Sequence, residues 1–289
     1  MPRYKLDIAY DGTDFLGWQK QHPPDETAAR DAKGNRPRVV LRTVQEEVER
    51  AVREVVREPV QLQGASRTDS GVHAAAQCAA FTCSEDGAEG RGWPAERGTL
   101  PLLRAVNSRL PGDVVVTGAS IVHDEFDPTR DCIAKGYRYT LHVMPQDGQS
   151  ATLRPLWDRS RVFFTYYALD VAAMQAAAAH LVGEHNFAAV ASIHHGRTST
   201  VRTIHDCTVT AEPAPADPIA TGATRVLIDV SGNGFLYNMV RIIAGTLMEI
   251  GRGRISADAM PEILASADRH RAGPTLPPQG LRLEWIRYP

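Results

Sequence analysis

The 289-residue sequence has few cysteines, no long apolar run and almost no net charge. Its four thiols, Cys78, Cys83, Cys132 and Cys207, are scattered without a C-x-x-C pair. That usage fits reduced thiols in a cytosolic protein better than a disulfide framework or a zinc site. No stretch approaches eighteen apolar residues, so no transmembrane helix is expected. The opening "RYKLDIAYDG" has neither an apolar signal core nor an Arg/Ser-rich transit pattern, and the expected compartment is the cytoplasm. A formal net charge of −2 argues against a globally basic nucleic-acid binder. It leaves a local basic groove open, because phosphate binding depends on where charges sit. The ten histidines lack metal-ligand spacing, and "SGNGFL" carries G-x-G without the rest of the dinucleotide fingerprint. No metal and no nucleotide cofactor is expected.

What is present is the composition of a folded globular chain, 43% hydrophobic and 23% charged, long enough for one large or two ordinary domains. "RYKLDIAY" alternates Tyr4, Leu6, Ile8 and Tyr10 with polar or small residues, the pattern of a half-buried strand. Residues 22–42 are rich in proline, glycine and charge and read as a long exposed or disordered loop. A helix starts at Thr43, which has capping-box spacing to Glu46. Val44, Val48, Val52, Val55 and Val56 form its apolar face. Strands are expected at "PVQLQGA" and "AAQCAAFTC", a helix at "LPLLRAVNSRL" and a strand at "DVVVTGASIV".

The second half offers a strand at "GYRYTLHV", an Ala-rich helix after Asp170 and a strand pair around the Pro-rich "PAPADP". A strongly apolar helix at "GFLYNMVRIIAGTLMEIG" and a closing strand at "GLRLEWIRY" follow. "RVFFTYY" reads as edge or core aromatics rather than a base-stacking platform. The repeating pattern predicts an α+β fold of two ferredoxin-like half-domains sharing a mixed, mostly antiparallel sheet. The expected N-terminal half-domain is 1–127 and the C-terminal one 128–289.

The loop between the second and third strands holds "ASRTDSGVHA". Asp69-Ser70-Gly71 is the triplet by which aspartic proteases present a carboxylate. Those enzymes need two such carboxylates sharing a proton, and this chain has one copy with Thr68 before it. A lone triplet usually makes a turn, its Asp bonding local amides. Arg67 and His73 beside the carboxylate add phosphate- or base-binding chemistry that a plain turn does not need.

With those neighbours, the stretch resembles the G-R-T-D-x-G-V-H-A hallmark of the tRNA pseudouridine synthase A family, Ser66 replacing the first glycine. The likeness continues in "YDGTDFLGWQKQ", "TVQEEVERA", "AVNSRLPGDV", "KGYRYTL", "GEHNF", "VRTI", "GNGFLYNMVRIIAGTLMEIG" and "PQGLRLEWIRY", in order along nearly the whole chain. The resemblance implies isomerisation of uridine to pseudouridine in the tRNA anticodon stem-loop, positions 38–40. It makes Asp69 the catalytic carboxylate and Arg67 the side chain entering the RNA stack when the base flips. Tyr137 would lie against the uracil face, Arg241 would pair with the aspartate, and Leu281 would form the other wall. His73 is expected among the substrate contacts. Taken singly, Tyr137 is an ordinary strand aromatic, Leu281 a core residue, and Arg241 a snorkelling or structurally paired arginine.

The implied chemistry is self-contained. The N1–C1′ bond breaks, the base turns, and C5 joins C1′; nothing is added or removed, so no cofactor is called for. Base flipping costs a few kcal/mol of unstacking. A carboxylate must act at the sugar or base, and an arginine in contact favours its ionised form and fixes its direction. Attack at C1′, attack at C6 and elimination through a glycal all stay open. The family is dimeric, so a homodimer with tRNA as partner is expected, with no membrane association. A non-catalytic RNA-binding module and an aspartate-dependent nucleosidase are the alternatives. His194 and His195 are assigned to solvent or the RNA rim. The 22–42 insertion is either a surface elaboration or an RNA-contacting flap.

Overall fold

Tyr4, Leu6 and Ile8 are fully buried on one face of β1 (Arg3–Tyr10), as their alternation requires. In the computed structural model, which describes residues 1–25, 27–28, 31, 34–85, 90–144, 154–192, 198–215 and 222–289, the chain divides into two units, Met1–Cys132 and Ile133–Pro289.

The first unit continues with α1 (Val44–Val56), β2 (Gln63–Gly64), β3 (His73–Thr82), α2 (Thr99–Asn107) and β4 (Val114–Val122). Its strands run in the order β4-β1-β3-β2, each pair antiparallel. This is the split β-α-β connectivity of a ferredoxin-like unit. Thr43 caps α1 by accepting the Glu46 amide, and Val44, Val48, Val52 and Val56 are buried, with Val55 half-buried beside them.

The strand expected at "PVQLQGA" shrinks to two paired residues because side chains of α1 take its backbone groups instead. Arg53 Nε donates to Val60 O at 2.9 Å, Gln45 Nε2 donates to Leu62 O at 2.7 Å, and Leu62 N donates to Glu49 Oε2 at 2.9 Å. Glu49, only 1% exposed, is matched by Lys20 at 2.7 Å and Arg53 at 2.6 Å. A buried carboxylate persists only with such partners.

The 22–42 segment is exposed as expected, but its described residues are not irregular. Val39 N donates to Pro23 O (2.9 Å), Asp25 N to Pro37 O (2.7 Å) and Asp31 N to Asn35 O (2.7 Å), with Pro24 bridged to Arg38. Its prolines lack donors yet serve the ladder as acceptors. At the base, Arg42 binds both Asp113 carboxylate oxygens and stacks on Phe15. Glu26, Arg30 and Lys33 lie outside the described residues.

The second unit comprises β5 (Ala134–Val143), β6 (Phe163–Thr165), α3 (Val171–Ala179), β7 (Gly183–Asn186), β8 (Val201–Pro213), β9 (Thr224–Gly232), α4 (Met239–Gly251), α5 (Met260–Ser266) and β10 (Leu281–Arg287). Its order is β10-β5-β9-β8-β7, with β6 parallel to the end of β5. Stripped of β6, β7 and α5, none of which the apolar pattern announces, it repeats the connectivity of the first unit. Within each unit, among the described residues, every other strand pair is antiparallel. The fold is thus α+β. The apolar helix expected from Gly234 begins only at Met239, because Asn238 turns left-handed at φ 60°. Eleven of the thirteen residues of α4 are buried; Arg241 and Glu249 are the two that are not.

Candidate active site

Asp69 lies in the turn between β2 and β3, flanked by exposed Arg67 and Ser70 and by buried Thr68. Five hydrogen bonds tie this turn and the start of β3 to the end of β1 and the segment following it. Thr68 Oγ1 meets Tyr10 OH at 2.8 Å, and Thr68 O accepts from Trp18 N at 3.1 Å. Gly71 N and Ser70 Oγ both donate to Phe15 O, each at 3.2 Å. His73 Nδ1 accepts from Gly12 N at 3.0 Å and stands 3.2 Å from Asp11 Oδ1.

The close approach explains two glycines of "YDGTDFLGW". A Cβ on Gly12 would sit 2.0 Å from Val72 O, and one on Gly17, whose φ is +90°, would sit 2.8 Å from Thr68 O. Ser66 needs no glycine-like backbone, since its φ is not positive, and Gln77 clamps it through N (3.2 Å) and O (2.6 Å). His73 is 5% exposed, its ring against the Gly12 amide and the Asp11 carboxylate.

In the second unit Tyr137 sits on β5 opposite Leu283 and Val230, and Leu281 on β10 sits opposite Tyr139. Tyr137 and Leu281 therefore share one sheet face as diagonal neighbours on adjacent strands. Phe235 meets the Tyr137 ring edge-on, the centroids 5.2 Å apart. Arg241, in the first turn of α4, donates from Nε to Leu276 O (2.7 Å) and from Nη1 to Asn238 Oδ1 (2.8 Å). Asn238 in turn donates from Nδ2 to Ser192 Oγ at 2.8 Å, so its left-handed backbone is tied down on both sides. Tyr139 OH donates to Pro277 O at 2.8 Å, which fixes the strand entry that carries Leu281.

The sequence motifs thus fall on two braced surfaces, Arg67, Asp69 and His73 in the first unit and Tyr137, Arg241 and Leu281 in the second. Sequence reasoning passed over Tyr10, Thr68 and Asn238. The fixed spacing of Gly12 and Gly17 after Tyr10 was the available signal for the first two. His194 and His195 lie outside the described residues. Among the described residues, no three His, Cys, Asp or Glu side chains converge as metal ligands, and no helix is long and apolar enough to cross a membrane.

A duplicated ferredoxin-like scaffold thus carries a carboxylate on a braced turn in one unit and an aromatic, an aliphatic residue and an arginine on regular elements in the other. Residues 177–289 match the sequence model of a family described as tRNA pseudouridine synthase. The chain is 37% identical over 292 residues to the tRNA pseudouridine synthase A of Geotalea uraniireducens, covering all of both chains. It is 39% identical over 288 residues to that of Acetivibrio thermocellus, again covering all of both. Against the Solidesulfovibrio magneticus protein of the same name it is 40% identical over 294 residues, covering all of this chain and 92% of that one. The chain belongs to the tRNA pseudouridine synthase A family, whose members isomerise uridine to pseudouridine in tRNA.

Proposed function

We propose that this isomerase acts on uridines 38–40 of the tRNA anticodon stem-loop, as a cytoplasmic homodimer, with Asp69 as its catalytic carboxylate. The braced Asp69 turn is the observation that carries the reading. A plain turn needs no such anchoring, whereas a reacting carboxylate loses rate steeply with small misplacement.

Arg67 is exposed and long enough to occupy the space that a flipped base leaves in the stack. Tyr137 and Leu281 clamp the uracil from its two faces and let it turn in plane. The Nε and Nη1 bonds of Arg241 fix its guanidinium plane, which suits a cation that assists the reaction. His73 Nδ1 accepts from Gly12 N, so in this reading its ring steadies the loop that carries Asp69.

In the reaction the N1–C1′ bond breaks, C5 bonds to C1′, the C5 proton leaves to water, and N1 takes up a proton. Product and substrate are isomers. Homodimerisation lets basic surfaces of two chains line one RNA groove, which suits a chain of net charge −2.

The test is tRNA carrying tritium at uridine C5. Tritium should appear in water while the base stays attached, and a transcript with cytidine at positions 38–40 should release none. Absence of release from any uridine-bearing tRNA would overturn the reading, and free uracil would reveal a nucleosidase. Sedimentation should give twice the chain mass.

A further inference from the structure

We infer that Tyr10 and Thr68 form a positioning pair for the Asp69 carboxylate, an assignment that rests on Asp69 being the catalytic group. Thr68 immediately precedes Asp69, and both of its polar groups point into the first unit. Its hydroxyl meets Tyr10 OH at 2.8 Å and its carbonyl accepts from Trp18 N at 3.1 Å. The two hydroxyl-bearing residues are nearly excluded from water, Tyr10 at 5% and Thr68 at 7% exposure.

With Thr68 turned inward at both groups, Arg67 before it is exposed and Asp69 after it is half-buried. The Phe15 carbonyl clamps the far side through Ser70 and Gly71, so the carboxylate-bearing residue is held from both neighbours. Tyr10 is itself set by β1, where it pairs with Ala74 and Val114, and its ring lies against Trp18. The hydroxyl contact thus links a central strand to a turn whose own closure is the Val72 N to Asp69 O bond at 3.1 Å.

Packing alone does not require either hydroxyl. Phenylalanine fills the Tyr10 site equally well, and valine matches threonine in shape. If the pair positions Asp69, removing either oxygen must slow the chemical step without weakening RNA binding. The experiment is single-turnover tritium release at saturating enzyme, with half-saturation concentration and Tm measured alongside, for Tyr10→Phe, Thr68→Val, Thr68→Ser and the Tyr10→Phe/Thr68→Val double variant.

The single-turnover rate should fall about tenfold in Tyr10→Phe and in Thr68→Val, with half-saturation changed less than about twofold. Thr68→Ser, which keeps the hydroxyl, should return to near the wild-type rate. The double variant should be no slower than the slower single one, as expected when two groups act through one contact. Wild-type rates in both single variants would overturn the pairing while leaving the isomerase reading intact. So would a rise in half-saturation with the rate preserved, or a loss of rate matched by the unfolded fraction. If Thr68→Val does not fold, Tyr10→Phe decides alone, since it deletes one oxygen from a ring that keeps its place. An active Asp69→Asn variant would instead overturn the catalytic assignment underneath.

Discussion

In the first unit the proposed catalytic carboxylate sits on a turn, whereas in the second the residues proposed to act with it sit on β5, α4 and β10. Both units share one connectivity, so the turn between β2 and β3 corresponds to the β8–β9 connection. That connection, spanning Pro213 to Thr224, carries none of the proposed site residues. The difference shows what each kind of support requires. A residue on a strand or helix inherits its direction from the hydrogen-bond register, as Tyr137 and Leu281 do. A residue on a turn has to be tied from outside, and the segment Tyr10–Trp18 supplies five bonds for that purpose.

The strongest challenge to this contrast is Asp69→Asn. Tritium release should fall at least about a thousandfold, while tRNA affinity in a gel-shift titration persists. Substantial turnover would remove the reason for bracing the turn. Next is Gly12→Val, whose Cβ would lie 2.0 Å from Val72 O. It should cost about 3 kcal/mol in urea unfolding and take activity with it. Gly112→Ala, where no atom lies within 4 Å of the new Cβ, should change stability by less than about 0.5 kcal/mol. Equal effects at the two glycines would mean that the close contact is not what holds the turn.

On the other side of the comparison, Arg241→Lys loses the planar fork that reaches Leu276 O and Asn238 Oδ1. It should lower kcat about tenfold with little change in KM for tRNA. A larger effect on KM than on kcat would make Arg241 an RNA contact instead. The smallest effect compares the two cores. Burial pushes the Cys83 thiol up to about 11 in the first unit and the Cys207 thiol up to about 12 in the second. Both stay protonated in the folded chain where an unfolded thiol, at about 8.5, ionises. Their contribution is therefore full below that pH and is lost as pH rises toward 11 and 12. The urea midpoint should decline over that range, and iodoacetamide at pH 8 should spare both thiols.

Much of this was legible in the sequence wherever one local rule governs. The valine face of α1, its Thr43 cap and the alternation of β1 follow from periodicity, and the structure buries those residues except Val55, which is half-buried. The "ASRTDSGVHA" loop stood out as a candidate site because Arg67, Asp69 and His73 are chemically conspicuous. What escaped was set by partners distant in the chain. The Glu49 carboxylate and its α1 neighbours replace a strand partner at 60–62, leaving β2 two residues long. Asn238 shortens α4 because its amide serves Ser192 and Arg241. β6 and β7, at three and four residues, are too short to show a period.

By itself, then, the sequence determined the α+β class, the duplicated element order and which loop to propose as reactive. Side-chain period and motif spacing are properties of neighbouring residues. The tertiary structure alone decided why "YDGTDFLGW" stands where it does and that the His73 ring is buried against Gly12 N. Both depend on a contact between residues 10–18 and 65–73. Contacts across that separation are fixed by strand pairing and close packing, which no local pattern encodes.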